Sequence, residues 1–221
     1  MEETMLKLNE FSHNHHPSGV KIMAKFISRG IWLSVSDFSK IGGENALAKI
    51  LMIIPPERFR DEELFQTREE LEKAGYKIVI ASTKKGICPG SRGGQAEAEI
   101  TLDEVLIGEY EAVVFVGGGG SKLLFNNPMA QMIAREMYQK GKVVAAICLA
   151  PVILANADIL HNKKATVAGT EAKTIENRGA IYMGPGVTVD RNIVTANAPK
   201  ASRLFGKTII ETLGIQLSSV Q

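Results

Sequence analysis

Short apolar runs alternate with helix-like segments from Lys49 onward, and this alternation constrains the fold more than any other feature. Runs of this length without polar alternation are typical of parallel strands that are buried on both faces. The four runs are Ile50–Pro55, Lys77–Ser82, Ala112–Val116 and Val143–Cys148. The helical patterns between and after them are Asp61–Ala74, Pro128–Lys140, Leu149–Asp158, Lys173–Arg178 and Pro199–Leu213. This order predicts a three-layer α/β sandwich around a mostly parallel sheet.

Three shorter strands and one loop complete the predicted domain. A strand is expected at Ala165–Ala168, and two more, Val187–Val189 and Ile193–Thr195, flank a polar turn. The glycine-containing segment Lys84–Gly94 is expected to be a loop after the second apolar run.

The first 47 residues do not share this pattern and are expected to form an N-terminal extension to a domain at 48–221. Apolar and polar residues alternate between Val20 and Val35 on both sides of a Gly-containing turn, which predicts a β-hairpin. A helix over Ile22–Leu33 is the alternative. The preceding cluster of His13, His15 and His16 could bind a metal ion, but the sequence offers no partner ligands. We therefore expect a polar tail and no metal.

Charge and cysteine content exclude several classes of protein. The 26 Lys and Arg nearly balance the 24 Asp and Glu, which argues against a nucleic-acid-coating protein. The chain has no run of eighteen apolar residues and no apolar segment near its start, so we expect neither a membrane span nor a secretory signal. Its two cysteines, Cys88 and Cys148, are too few for a disulfide framework or a four-cysteine zinc site. A cytoplasmic location is the expectation.

Cys148 is the candidate nucleophile. It ends a predicted strand and precedes a predicted helix, with the small residues Ala146 and Ala150 two positions away on either side. This arrangement resembles a nucleophile elbow, in which a sharp turn exposes the reactive atom. A helix N-terminus also lowers the pKa of a thiol below the free value of about 8.5, so a reactive thiolate is expected. A buried structural cysteine is the equally weighted alternative, and Cys88 is expected to be a bystander in its loop.

Two further segments should reach the carboxyl edge of the sheet, where sites form in parallel sheets. The helix at Asp61–Ala74 begins there, and Glu63 is the acidic residue of its first turn that borders the apolar stripe. The alternative is that its acidic residues only favour the helix dipole. The run Gly117–Gly120 fits neither a phosphate loop nor a dinucleotide motif by spacing. It is either a flexible turn or an oxyanion hole with backbone N–H donors.

These features together resemble the ThiJ/PfpI family over residues 49–214. The matching pieces are FRDEEL (Phe59–Leu64), GYKIVIAS (Gly75–Ser82), YEAVVFVGG (Tyr110–Gly118), AAICLAP (Ala145–Pro151) and NAP (Asn197–Pro199). The resemblance implies a flavodoxin-like sheet, with Cys148 as the nucleophile and Glu63 as its hydrogen-bond partner. It also implies that the N–H groups of Gly118 and Leu149 form the oxyanion pocket. A homo-oligomer is expected on the same basis.

The chain departs from the family pattern at positions that bear on the reaction. Leu149 stands where protease-like members have a histidine, and Val116, Ala168 and Asn197 also replace typical family residues. The remaining histidine, His161, is expected in a surface turn.

Without an imidazole to protonate an amine leaving group, peptide hydrolysis is disfavoured. We expect a glyoxalase- or deglycase-like enzyme that needs no cofactor and acts on a small reactive carbonyl or a carbonyl-modified protein. The alternatives are a redox-sensing stress protein without turnover and an intracellular cysteine peptidase.

Overall fold

The computed structural model describes residues 24–25, 32–33 and 47–218, with side chains described up to 214. The chain divides into two compact units, residues 1–46 and 47–221. The strands of the described residues are β1 (Ala24–Lys25), β2 (Trp32–Leu33), β3 (Lys49–Ile53), β4 (Lys77–Ser82), β5 (Gly86–Pro89), β6 (Gln95–Ala98), β7 (Ile100–Thr101), β8 (Tyr110–Phe115), β9 (Val143–Ile147), β10 (Lys164–Ala165), β11 (Ile181–Tyr182), β12 (Val187–Asp190) and β13 (Ile193–Ala196). The α-helices of these residues are α1 (Asp61–Lys73), α2 (Pro128–Gln139), α3 (Pro151–Asn156), α4 (Ala172–Glu176) and α5 (Ser202–Ser218).

A seven-stranded sheet forms the centre of the larger unit, in the order β12-β13-β9-β8-β3-β4-β7. Every neighbouring pair in it is parallel except β12 and β13, which are antiparallel. The apolar runs form the inner strands of this sheet because both faces of an inner strand are covered. In β9, for example, every residue is buried. The predicted α/β class with a mostly parallel sheet is confirmed.

Alternate side chains of β3 enter two separate cores, one on each face of the sheet. Ile50 and Met52 pack in the core that also buries Leu64 of α1 and Phe205 of α5. The next residues, Leu51 and Ile53, pack in the core that buries side chains of α2 and α3. This alternation follows from the two-residue period of a strand and produces the predicted three layers.

The prediction of a loop at Lys84–Gly94 is wrong, because this segment begins a β-hairpin of β5 and β6. In β6 the residues Ala96 and Ala98 are buried, whereas Gln95 and Glu97 are exposed. This alternation is a strand signal that the nearby glycines obscured. Cys88 is therefore a fully buried strand residue and not a loop residue.

The smaller unit contains one described strand pair, β1 with β2, which is antiparallel and lies within the segment predicted to be a hairpin. The histidine cluster at positions 13, 15 and 16 lies outside the described residues. Within the described part of the chain, no helix is long and apolar enough to cross a membrane. The same residues contain no group of three or more His, Cys, Asp or Glu side chains that could hold a metal ion.

Asp61, the first residue of α1, fixes the hairpin loop beside the carboxyl edge of the sheet. Its two carboxylate oxygens accept the backbone N–H groups of Arg92 at 2.8 Å and Gly94 at 2.6 Å. Gly90 must be glycine because a Cβ there would lie 2.6 Å from the same carboxylate. The first turn of α1 and the β5–β6 loop are thus held together by one side chain.

Replacing Asp61 with Ala should destabilise the fold by about 2 kcal/mol, since hydrogen bonds to a charged acceptor contribute about 1.5–3 kcal/mol. Asp61→Asn, which keeps one acceptor oxygen, should lose less. Urea denaturation measures both, with exposed Asp103→Ala as the control, for which we expect a change below about 0.5 kcal/mol. Equal stability of Asp61→Ala and the wild type would contradict the assigned role.

Candidate active site

Cys148 lies in the turn directly after β9 and has a backbone conformation that few non-glycine residues adopt. Its φ is +62°, in the left-handed region, which costs about 1–3 kcal/mol and persists only where neighbours enforce it. Two hydrogen bonds enforce it here: the Cys148 N–H donates to Ala196 O, and Ala168 N–H donates to Cys148 O, both at 2.8 Å. The predicted helix begins later, at Pro151, so residues 148–150 form the turn. The half-buried side chain leaves the turn as in a nucleophile elbow.

Glu63 approaches Cys148 from the first turn of α1, and its side chain is fully buried. The carboxyl oxygen Oε2 accepts the backbone N–H of Gly117 at 3.0 Å. The carboxyl group also lies close enough to the Cys148 thiol for each group to shift the pKa of the other. Among the described residues Oε1 has no N–H or O–H donor. Of the ionisable neighbours of Glu63, Cys148 has the largest effect on its pKa.

Two glycines at the end of β8 allow this contact. A Cβ at Gly117 would lie 2.6 Å from Glu63 Oε2 and 2.8 Å from Cys148 Cβ, so any side chain would separate the two groups. Gly118 has φ +97°, and a Cβ there would lie 2.5 Å from Arg58 O. The N–H groups of Gly118 and Leu149 lie near enough to the Cys148 sulfur to lower its pKa. The sequence pointed to this loop, but the role of Gly117 depends on a tertiary contact that spacing does not show.

Burial governs the protonation of the pair. Removal from water raises the pKa of Glu63 to about 7, although the hydrogen bonds from Cys148 and Gly117 oppose the rise. Burial, followed by the charge of the Glu63 carboxylate, raises the pKa of Cys148 to about 12. The N–H groups of Gly118 and Leu149 act in the opposite direction. Between about pH 7 and 12 the pair therefore carries one proton and one negative charge.

The sequence-based prediction of a low Cys148 pKa is wrong for a site in which Glu63 is ionised. It paired Cys148 with Glu63 as a hypothesis, but it gave more weight to the helix start than to the burial of the sulfur, which is the largest cause of the raised pKa. Two negative charges cannot lie together in this pocket, so a thiolate forms when its proton passes to Glu63. The two groups titrate as a pair, and each observed pKa belongs to both.

The other candidate residues lie away from this pair or have structural roles. Cys88 packs in the core beneath the hairpin, where its thiol donates to Gly86 O at 3.7 Å. The Asn197 side-chain oxygen Oδ1 accepts a hydrogen bond from the Gly186 N–H at 2.9 Å and so stabilises the loop before β12. His161 is exposed in the turn between α3 and β10, and no contact between described residues joins it to Cys148. Ala168 does reach the site, but through its backbone N–H.

Comparison with known proteins places the chain in a family. The model of the DJ-1/PfpI family matches residues 48–212. An uncharacterised protein of Methanocaldococcus jannaschii is 46% identical over 169 residues, which cover 75% of this chain and 82% of the relative. The deglycase PfpI of Pyrococcus furiosus is 33% identical over 149 residues, which cover 67% of this chain and 90% of that protein.

The solved structures agree with this assignment. The ThiJ/PfpI domain protein of Brachyspira murdochii has a TM-score of 0.75 and 34% identity, and the match covers 77% of this chain and 98% of that chain. Drosophila melanogaster DJ-1beta has a TM-score of 0.68 and 26% identity, with 76% and 90% covered. The chain belongs to the DJ-1/PfpI family, which confirms the resemblance drawn from its motifs.

Replacing Glu63 with Gln should change how stability depends on pH. Because the pKa of Glu63 rises from 4.5 to about 7 on folding, the native state holds a proton that the unfolded state releases in this range. The free energy of unfolding of the wild type should therefore fall by about 3 kcal/mol as the pH rises from 4.5 to 7.5, at about 1.4 kcal/mol per pKa unit. Glu63→Gln should lack this fall.

Chemical denaturation at several pH values in that range measures the effect. Exposed Glu176→Gln is the matched control and should follow the wild type. The same slope in Glu63→Gln as in the wild type would show that Glu63 does not titrate near neutral pH.

Proposed function

We propose that this protein is a cysteine-dependent hydrolase or lyase that acts on reactive carbonyls, in the manner of a glyoxalase or deglycase. The observation that carries the proposal is the Cys148 sulfur itself. It lies on a strained turn between the buried Glu63 carboxyl and two backbone N–H donors. This set supplies a nucleophile, a proton acceptor and an oxyanion pocket, which is what addition to a carbonyl requires.

In the first step the sulfur attacks the carbonyl carbon while Glu63 takes the thiol proton. Glu63 is suited to this role because a pKa of about 7 lets the carboxyl group lose and regain a proton near neutral pH. The attack forms a carbon–sulfur bond and moves one electron pair of the carbonyl onto its oxygen. The N–H groups of Gly118 and Leu149 would stabilise that oxyanion.

In the second step Glu63 returns or relays the proton, which lets the adduct collapse. With a 2-oxoaldehyde, transfer of a proton from the attacked carbon to the neighbouring carbonyl carbon gives a thioester, and water then releases a 2-hydroxy acid. Each proton that moves within the site during these reaction steps can pass through the carboxyl group of Glu63. The steps balance in atoms and electrons without a cofactor.

The family relatives support carbonyl chemistry more than proteolysis. The Pyrococcus furiosus relative is named a deglycase, as is a Thermococcus kodakarensis protein that is 31% identical over 149 residues. Peptide hydrolysis would need a proton donor for the amine leaving group, and Leu149 occupies the position of the histidine in protease-like members. A redox-sensing role is also less well supported than carbonyl chemistry. Cysteine oxidation proceeds from the thiolate, and burial raises the pKa of Cys148 and so disfavours that form.

Turnover of methylglyoxal by purified protein tests the proposal through matched variants. Cys148→Ser should lose activity by at least about 100-fold, because a hydroxyl is a far weaker nucleophile than a thiol. Glu63→Gln and Glu63→Asp should lose about 10- to 100-fold, since one lacks the proton acceptor and the other shortens its reach by about 1.5 Å. Cys88→Ser changes the other cysteine and should stay within about twofold of the wild type.

Three results would contradict the proposal. Full activity in Cys148→Ser would place the reaction elsewhere, and full activity in Glu63→Gln would leave that residue with a structural role only. Casein hydrolysis that is lost in Cys148→Ser, without methylglyoxal turnover in the wild type, would favour the peptidase instead.

A further inference from the structure

Arg58 occupies an unusual position beside the oxyanion loop. Its φ is +52°, so its backbone is held in the left-handed region, as that of Cys148 is. Its N–H donates to Pro89 O at 2.7 Å and its carbonyl accepts the Gly120 N–H at 3.2 Å. The base of the side chain is therefore fixed between the hairpin loop and the loop that provides the Gly118 N–H.

The guanidinium of Arg58 lies across the backbone of Gly119. Its Nη2, Cζ and Nε atoms would lie 3.1, 3.4 and 3.7 Å from a Cβ at that position, so the glycine makes room for the group. The side chain is exposed and forms no ion pair or hydrogen bond with any described residue. Arg60, two residues on, differs because its guanidinium pairs with Glu62 at 2.7 Å. Among the described residues, Arg58 thus has a backbone held by two hydrogen bonds and a guanidinium without an acidic partner.

The positive charge of Arg58 opposes the negative charge of Cys148 and Glu63. Above about pH 7 Cys148 and Glu63 together hold one buried negative charge, which repels an anionic substrate. An arginine next to the oxyanion loop offsets that repulsion and offers paired N–H donors, a geometry that fits phosphate or carboxylate.

The Arg58 guanidinium lies within reach of a carbonyl substrate held at Cys148. A Cβ at Gly117 would lie 2.8 Å from Cys148 Cβ, and Gly119, next to the guanidinium, is two residues further along the chain. Two residues span at most about 7 Å, so a substrate a few carbons long can place an anionic group at Arg58. A phosphate ester two carbons beyond the carbonyl extends further than a carboxylate bonded to that carbonyl, and it offers more acceptor oxygens to the paired N–H donors.

We propose that Arg58 forms an anion subsite beside Cys148 and that the preferred carbonyl substrates of this site carry a phosphate ester. The inference rests on the proposed carbonyl chemistry of Cys148 and adds the substrate class. Arg58 is a specificity residue in this scheme, since it holds the substrate and leaves the reacting atoms to Cys148 and Glu63.

Protection of Cys148 from iodoacetamide tests the subsite without requiring turnover. An aldehyde adds reversibly to the thiol, forming a carbon–sulfur bond while the thiol proton moves to the carbonyl oxygen, and the adduct resists alkylation. The probes are glyceraldehyde 3-phosphate and glyceraldehyde, compared at equal ionic strength by the concentration that halves the alkylation rate. In the wild type the phosphorylated aldehyde should need about a tenfold lower concentration, in line with a charge-assisted contact.

In Arg58→Gln this advantage should shrink to about twofold or less, and Arg58→Lys, which keeps the charge without the planar fork, should fall between. Exposed Arg178→Gln is the matched control and should keep the wild-type ratio. Thermal melting monitored by circular dichroism checks that each variant is folded. If Arg58→Gln does not fold, the result for Arg58→Lys tests the subsite.

Equal protection by the two aldehydes in the wild type, or an undiminished advantage in a folded Arg58 variant, would overturn the subsite. Methylglyoxal turnover measured on the same preparations separates the two proposals. Turnover without a protection difference counts against the Arg58 subsite alone. A protection difference without turnover supports the subsite and counts against the proposed enzyme.

Discussion

Glu63 and Cys148 lie side by side in a buried site that holds only one negative charge near neutral pH. The surrounding elements position these two side chains. The start of α1 brings the carboxyl to the edge of the sheet, and the strained turn after β9 brings the sulfur. Gly117 lacks the Cβ that would part them and gives its N–H to the carboxyl. The parallel sheet matters for function because it ends β3, β8 and β9 at one edge.

The fold was predictable because its signals are local. Runs such as Ile50–Pro55 are apolar throughout and too short for a typical helix, which favours a strand that is covered on both faces. The β5–β6 hairpin escaped prediction because glycines that accommodate Asp61 look the same in sequence as glycines of a loop. The helix after Cys148 was placed two residues early, since turn residues 148–150 are as apolar as the helix that follows.

Part of the site was predictable for the same reason. Cys148 stood out by its position between a strand and small residues, and Glu63 by its place at the border of an apolar stripe. The direction of the thiol pKa was not, because it depends on burial against a carboxyl 85 residues away along the chain. The position of Arg58 was equally hidden, since only the folded chain brings its guanidinium to Gly119.

The claim that Cys148 and Glu63 exchange one proton is tested most directly by the rate of Cys148 alkylation against pH. Loss of the first proton from the pair makes thiolate available by transfer to Glu63, so the wild-type rate should rise with a midpoint near pH 7. In Glu63→Gln this midpoint should disappear, and the rate should rise only where the isolated thiol ionises, above about pH 8.5. The same midpoint in both proteins would contradict a shared proton.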